Sequence, residues 1–212
     1  MRLKLLTFLI FCLTAVCAYA VDPGRAFITA PESRFPFIPQ MKRMDMIDYF
    51  RAGVTKPSHN LLRGNSRILS ETPNSITVEE VADRGVVTTI NIARGAARGD
   101  SVLIVVSNFE VPAGDGSVSV YNTSWKSLPG NVFTPPALDD WLVKRPAMDK
   151  ADLENYIPFV TASAEFDPET DILTFTNTLD TFLGKDIYDK VKDSVRPVLK
   201  YRWTGRKMVR ID

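Results

Sequence analysis

Cysteine is nearly missing from this 212-residue chain, and the two that occur, Cys12 and Cys17, both lie ahead of Val21. From Val21 onward there is no thiol for a disulfide, a thiolate metal ligand or a covalent nucleophile. Histidine is almost as scarce, since His59 is the only one. A zinc site built on imidazoles, or a Ser-His-Asp triad, would have to recruit that single residue from the turn-like stretch Lys56-Pro-Ser-His-Asn60. A surplus of one charge is missing too: 26 Lys and Arg stand against 25 Asp and Glu. That balance argues against nucleic acid as the main partner, because a phosphate-binding surface needs a basic excess. Low-complexity tracts and clear repeats are absent, although the order of a helix followed by hairpins occurs in both halves. Gly64-Asn-Ser-Arg-Ile68 begins like a nucleophile elbow but lacks the second glycine. Arg94-Gly-Ala-Ala-Arg-Gly-Asp100 has neither the spacing nor the lysine of a phosphate-binding loop.

What is present begins with a leader. Arg2 and Lys4 precede a short apolar stretch that ends in Ala18-Tyr19-Ala20, the three-part pattern of a secretory signal peptide cleaved before Val21. The competing lipoprotein reading would make Cys17 a lipidated first residue, although Val16 stands where a small residue is expected. Residues 1–20 are therefore assigned to the signal peptide and 21–212 to one exported α+β domain, divisible into two halves, 21–130 and 131–212, that share a sheet. No later run is long and apolar enough to span a membrane, so the mature chain is expected to be soluble, in the periplasm or at the cell surface.

The sheet is organised around Ser101-Val-Leu-Ile-Val-Val-Ser-Asn-Phe-Glu-Val111, which is apolar on both alternating faces, as an interior strand must be. Strands are also predicted over Arg67–Thr72, Ser75–Val81, Val86–Ala93 and Ser117–Asn122, joined by short turns into a meander. Two further hairpins follow, one around Asp167-Pro-Glu-Thr-Asp171 and a basic one around Thr204-Gly205. Helices are predicted over Gln40–Ala52, Ala137–Val143, Asp149–Tyr156 and Lys185–Ser194. Val21–Gln40, with Pro23, Pro31, Pro36 and Pro39 among Phe27, Phe35 and Phe37, reads as an irregular arm on the core, or else as a polyproline ligand. The fold class is α+β: a twisted antiparallel sheet of about eight or nine strands with a few short helices on one face.

Several small motifs carry chemistry on paper. Asp45 and Asp48 form a helical pair, but Lys42 and Arg51 lie three residues to either side and neutralise it. Arg98-Gly99-Asp100 matches an adhesion tripeptide, yet three residues match by chance often, and a turn glycine has its own structural reason. The acidic spacing of Asp167–Asp171 imitates a calcium loop, whose glycine is missing and whose twelfth position is Thr178. The candidates for ligand contact are Trp125 and Trp141, for stacking on a sugar, Trp203, and Arg202, for an anionic group. No catalytic, cofactor-binding or metal-binding residue is assigned.

Four segments carry a family resemblance: Ala30-Pro-Glu-Ser-Arg-Phe-Pro-Phe-Ile-Pro39, Arg43-Met-Asp-Met-Ile-Asp-Tyr-Phe-Arg-Ala-Gly53, Tyr121-Asn-Thr-Ser-Trp-Lys-Ser-Leu-Pro129 and Leu199-Lys-Tyr-Arg-Trp-Thr-Gly205. Together they resemble an exported family of unknown function restricted to Bacteroidales. The resemblance implies compartment and lineage, and no site residue. The function expected is that of a non-enzymatic exported binding protein whose partner is a protein or glycan of the cell envelope. The alternative is a carboxylate-dependent envelope glycan hydrolase using an acid pair such as Asp139 with Glu165.

Overall fold

A computed structural model describes residues 21–54, 58–81, 85–110 and 113–212; the leader expected over 1–20, and Cys17 with it, lies outside them. Six strands form the first sheet in chain order: β1 (Ser58–His59), β2 (Asn65–Glu71), β3 (Ser75–Val81), β4 (Val86–Arg94), β5 (Ser101–Phe109) and β6 (Asp115–Asn122). Each pairs antiparallel with the next, the meander that short connections favour. The apolar run of β5 is flanked by β4 and β6 along nearly its whole length, and Val102 to Ser107 are buried on both faces. A strand enclosed on two sides in this way has no use for polar alternation.

Four more strands form a second sheet, in the order β10 (Met208–Arg210), β9 (Val198–Trp203), β8 (Ile172–Asn177) and β7 (Ala162–Asp167), again antiparallel throughout. This corrects the expectation of one sheet of eight or nine strands: the described residues form ten strands in two sheets, and the two halves do not share one. Local backbone bonding explains the break. After β6 the chain turns back on the edge where a seventh strand would pair, with Leu128 N–H donating to Val120 C=O at 3.0 Å and Asn122 N–H to Lys126 C=O at 3.0 Å. Instead of extending the sheet, β7 crosses the face of β5 and β6. A Cβ on Gly116 would lie 2.6 Å from both the Cβ and the N of Ala164, so the crossing exists because residue 116 has no side chain.

Two hydrocarbon cores result. Even-numbered β5 residues Val102, Ile104 and Val106 meet Ala162, Ala164 and Phe166 of β7, Leu173 and Phe175 of β8, and Leu199, Tyr201 and Trp203 of β9. The short helices α3 (Leu138–Trp141), α4 (Lys150–Tyr156), α5 (Leu179–Phe182) and α6 (Lys185–Val191) add Trp141, Leu153, Leu179 and Val191 to the same core. On the opposite face, Ile76, Val78, Ile90, Leu103 and Val105 are covered by the N-terminal segment. Helices thus lie on both sides of the first sheet rather than on one.

That N-terminal segment is more helical than its prolines suggest. Pro23–Thr29 forms a helix, α1, with Pro23 at its first position and Asp22 capping it by accepting from Gly24 N–H at 3.0 Å. Proline is tolerated there because the N–H it lacks would have had no partner. The following helix, α2 (Gln40–Arg51), is where periodicity places it, but its buried side is Arg43, Met46 and Ile47, while Met44 and Phe50 are exposed. Among the described residues no helix is long and apolar enough to cross a membrane.

Candidate functional site

Because β7 crosses only the β5 and β6 end of the first sheet, the β3 and β4 end of that face is left open beside the outer surface of β7 and β8. The result is a cleft of about 520 Å³, within the range of roughly 300–1,000 Å³ usual for small binding sites. Its floor is Ser75, Thr77, Thr89 and Asn91; its wall is Ser163, Glu165, Asp167, Thr174 and Thr176. The alternation of the strands dictates this composition: Ala164, Leu173 and Phe175 point into the core, so their neighbours point out.

Some of these groups are already committed. The Thr77 and Thr89 hydroxyls bond each other at 3.1 Å, and the Asn91 amide donates to Ile104 C=O at 3.2 Å. Asp167 closes the β7–β8 turn by accepting from the Thr170 hydroxyl at 2.6 Å and from Glu169 N–H at 2.9 Å. Those two bonds hold its carboxyl below the usual range. The carboxylate that resembled a calcium ligand is thus a turn-former. Ser163, Glu165, Thr174 and Thr176 make no side-chain hydrogen bond or ion pair with any described residue.

The corner of the cleft is a main-chain feature. Thr178 N–H donates to Thr161 C=O, which by the alternation of an antiparallel ladder turns the N–H and C=O of Ala162, Ala164 and Phe166 away from β8. The Asn108 carboxamide meets Ala164 on that free edge, accepting from its N–H at 2.8 Å and donating to its C=O at 2.9 Å. One residue pair further along, Phe166 presents the same two groups to the cleft with no described partner. Neither Asn108 nor Phe166 stood out in the sequence, where each is an ordinary strand residue.

On the other face of the first sheet lies a buried polar chain. Thr88 donates to Glu80 Oε1 at 2.5 Å and shares a bond with Ser107 at 2.8 Å; Arg34, from the covering segment, donates to Ser107 and, at 3.4 Å, to Thr88. Alternation along β3 puts Glu80 on the same buried face as Ile76 and Val78, and a register shift between Glu79 and Val81 marks a bulge at that point. Burial pushes the Glu80 carboxyl up, opposed by the Thr88 bond and by the Arg34 charge. Nearby, Arg43 is 1% exposed, donates to Ala30 C=O at 2.7 Å, and lies 5.6 Å from the Phe35 ring centroid and 6.0 Å from that of Phe27. Its burial lowers its pKa.

The structure scatters the residues singled out in the sequence. Trp203 is buried and donates to Arg94 C=O at 2.6 Å, bordering a hollow of about 640 Å³ that Gly99 and Asp100 also border. Trp141 is buried at a different hollow, of about 280 Å³. Trp125 is half-buried at φ 60°, its indole N–H bonded to Ala26 C=O at 3.1 Å and its ring 5.3 Å from Tyr121. Arg202 is exposed on β9 and, with Arg94, faces the charge of Asp171, whose carboxyl burial pushes up. None of the four lines the cleft. Glu165 does, whereas Asp139 lies on α3, 2.5 Å from Lys150 Nζ. Arg98, Gly99 and Asp100 are exposed at the β4–β5 turn, and His59 is exposed on β1.

The segments that suggested a family have structural employment. Arg43, Phe27 and Phe35 pack together, Arg51 joins Asp22 at 2.9 Å and Glu71 at 2.5 Å, and Trp125 pins α1 to the corner after β6. A family model described as "Protein of unknown function (DUF3256)" matches residues 16–208. No curated protein matches the chain. Among solved structures, that of a domain of an uncharacterised protein from Porphyromonas gingivalis is similar, with a TM-score of 0.74 and 22% identity over 89% of this chain and 96% of that one. Identity at that level speaks for the fold alone.

Proposed function

We propose, starting from a chain that belongs to the DUF3256 family of proteins of unknown function, that the mature protein is an exported, non-enzymatic binding module whose ligand site is the polar cleft between the two sheets. The observation that carries this reading is the cleft's inventory: uncommitted hydroxyls and a carboxylate, fixed on strands and next to an unpaired main-chain N–H and C=O. Rigid strands hold such groups without an ordering cost on binding, which is what recognition requires. The acid pair of the alternative hydrolase reading is divided, with Glu165 in the cleft and Asp139, on α3, committed to Lys150.

The leader pattern supports export of residues 21–212 as one domain to the periplasm or cell surface, with an envelope protein or glycan as partner. The four segments that carry the family resemblance support a Bacteroidales lineage. The test compares the wild-type protein with Thr176→Trp, which fills the exposed wall of the cleft. Retention on immobilised envelope protein or glycan is expected for the first and lost in the second, with an unchanged melting temperature. Equal retention by both would move the site elsewhere. Recovery of a mature chain beginning at Val21 from the envelope fraction, read by intact mass, checks the export step.

A further inference from the structure

The corner of the cleft specifies more than polarity. Asn108 satisfies Ala164 with a primary carboxamide, whose donor and acceptor lie side by side and so match the N–H and C=O of one strand residue. Phe166 offers the same pair one ladder step on, about 6.6–6.8 Å away, and this second slot opens into the cleft. A ligand that fills it must present a donor and an acceptor on one side at that spacing. A residue of an extended peptide does so by construction. The acetamido group of an amino sugar does not, because the N–H and C=O of a trans secondary amide point in opposite directions.

Side-chain preference follows from the pleat. A peptide residue opposite Phe166 turns its side chain to the core side, so that residue has to be small. The residues before and after it project on the outer face, where Glu165 and Asp167 stand on β7 and where the lining holds no Lys, Arg or His. On that face the register sets Lys200 and Arg202 of β9 two strands away from Glu165 and Asp167, so at the β7 edge the carboxylates stand nearer than either cation and select against an acidic ligand and for a basic one. Hydroxyls of Ser163, Thr174 and Thr176 continue that surface.

Resting on the cleft reading above, we infer that the ligand is an extended polypeptide segment of alternating basic and small residues, added along β7 with its small residue paired to Phe166. This is strand addition to a protected edge, with Asn108 marking where the added strand stops.

Fluorescence anisotropy with a labelled eight-residue peptide of alternating Lys and Ser tests it. N-methylation of the Ser amides removes the donors that face β7 and is expected to weaken binding about tenfold, the size of one lost hydrogen-bonded pair. N-methylation of the Lys amides, which face away, is expected to leave affinity within about twofold, and Glu165→Gln to lower it about threefold. An Asp45→Asn control on α2 should leave it unchanged. Equal loss from both methylated peptides, or equal loss from Asp45→Asn, would overturn the inference in favour of diffuse charge attraction. If the peptide fails to bind while neutral chitotetraose binds and is lost in Thr176→Trp, the peptide inference falls and the cleft reading stands. If neither probe binds, both fall.

Discussion

Where the six-stranded sheet is covered, its two faces are covered by different chemistry. Towards the second sheet, β5 is covered by hydrocarbon from Ala162 to Met208, with Trp203 and Trp141 fully enclosed. Towards the N-terminal segment, the cover includes a guanidinium with two unpartnered nitrogens, Arg43, and a bonded chain from Arg34 through Ser107 and Thr88 to Glu80. Hydrocarbon contributes stability in proportion to area and is indifferent to register, whereas buried polar groups tolerate only one arrangement. The comparison teaches that the first contact holds the molecule together while the second fixes where the N-terminal segment sits.

The largest expected effect is therefore on the hydrocarbon side. Trp203→Ala removes a fully buried indole and its bond to Arg94 C=O. It should destabilise the protein by about 3–5 kcal/mol, seen as a lower urea midpoint at unchanged slope. A loss below about 1 kcal/mol would mean that the two sheets hold each other less firmly than their burial indicates. Asn108→Ala comes next. It leaves the N–H and C=O of Ala164 unpaired at the crossing of the sheets, a loss of about 1–3 kcal/mol. Because the vacated slot adjoins Phe166, the same change should lengthen the edge open to a peptide and move the preferred register of the peptide of alternating Lys and Ser by two residues.

Arg43→Met is expected to do much less, although Arg43 is as buried as Trp141. A methionine keeps the packing on Phe27 and Phe35 and discards a charge whose Nε and Nη1 have no partner. Stability should stay within about 1 kcal/mol of wild type, or rise. What should suffer is placement of the covering segment, read as faster amide hydrogen exchange in α1 and α2.

Much of the architecture was legible in the sequence for reasons these contrasts make plain. β5 announces itself because burial on two faces leaves a doubly apolar run, and the hairpins announce themselves through turn residues close in the chain. The division into two sheets was not legible, because it depends on Gly116 and Asn108 meeting Ala164, residues roughly fifty positions apart in sequence whose encounter no local pattern encodes. The helix α2 was legible as a helix but not in its orientation: a periodicity argument places Met44 and Phe50 inside, and the aromatic pair Phe27 and Phe35, with rings 5.0 Å apart, draws Arg43 in instead. The cleft falls between these cases. Alternation in β7 and β8 shows which side chains leave the core, yet only the crossing decides which of them face a cavity rather than bulk water.

The smallest effect is the one that separates the two faces most sharply, because it depends on pH on one side alone. Burial raises the Glu80 carboxyl above its unfolded value, despite the Thr88 bond and the Arg34 charge. Between those two values the folded protein holds a proton that the unfolded chain has released. The stability linked to Glu80 is thus complete below the unfolded carboxylate range and is lost as pH rises through the folded value. Glu80→Gln keeps an acceptor for Thr88 and removes the titration. Its melting temperature should match that of wild type near pH 4 and exceed it by a few degrees near pH 8, the shift a change of about 1 kcal/mol produces. Trp203→Phe, on the hydrocarbon face, should move both melts equally. If Glu80→Gln instead loses stability towards high pH, the attraction of Arg34 outweighs burial, and the covering segment is held by an ion pair rather than registered by a neutral network.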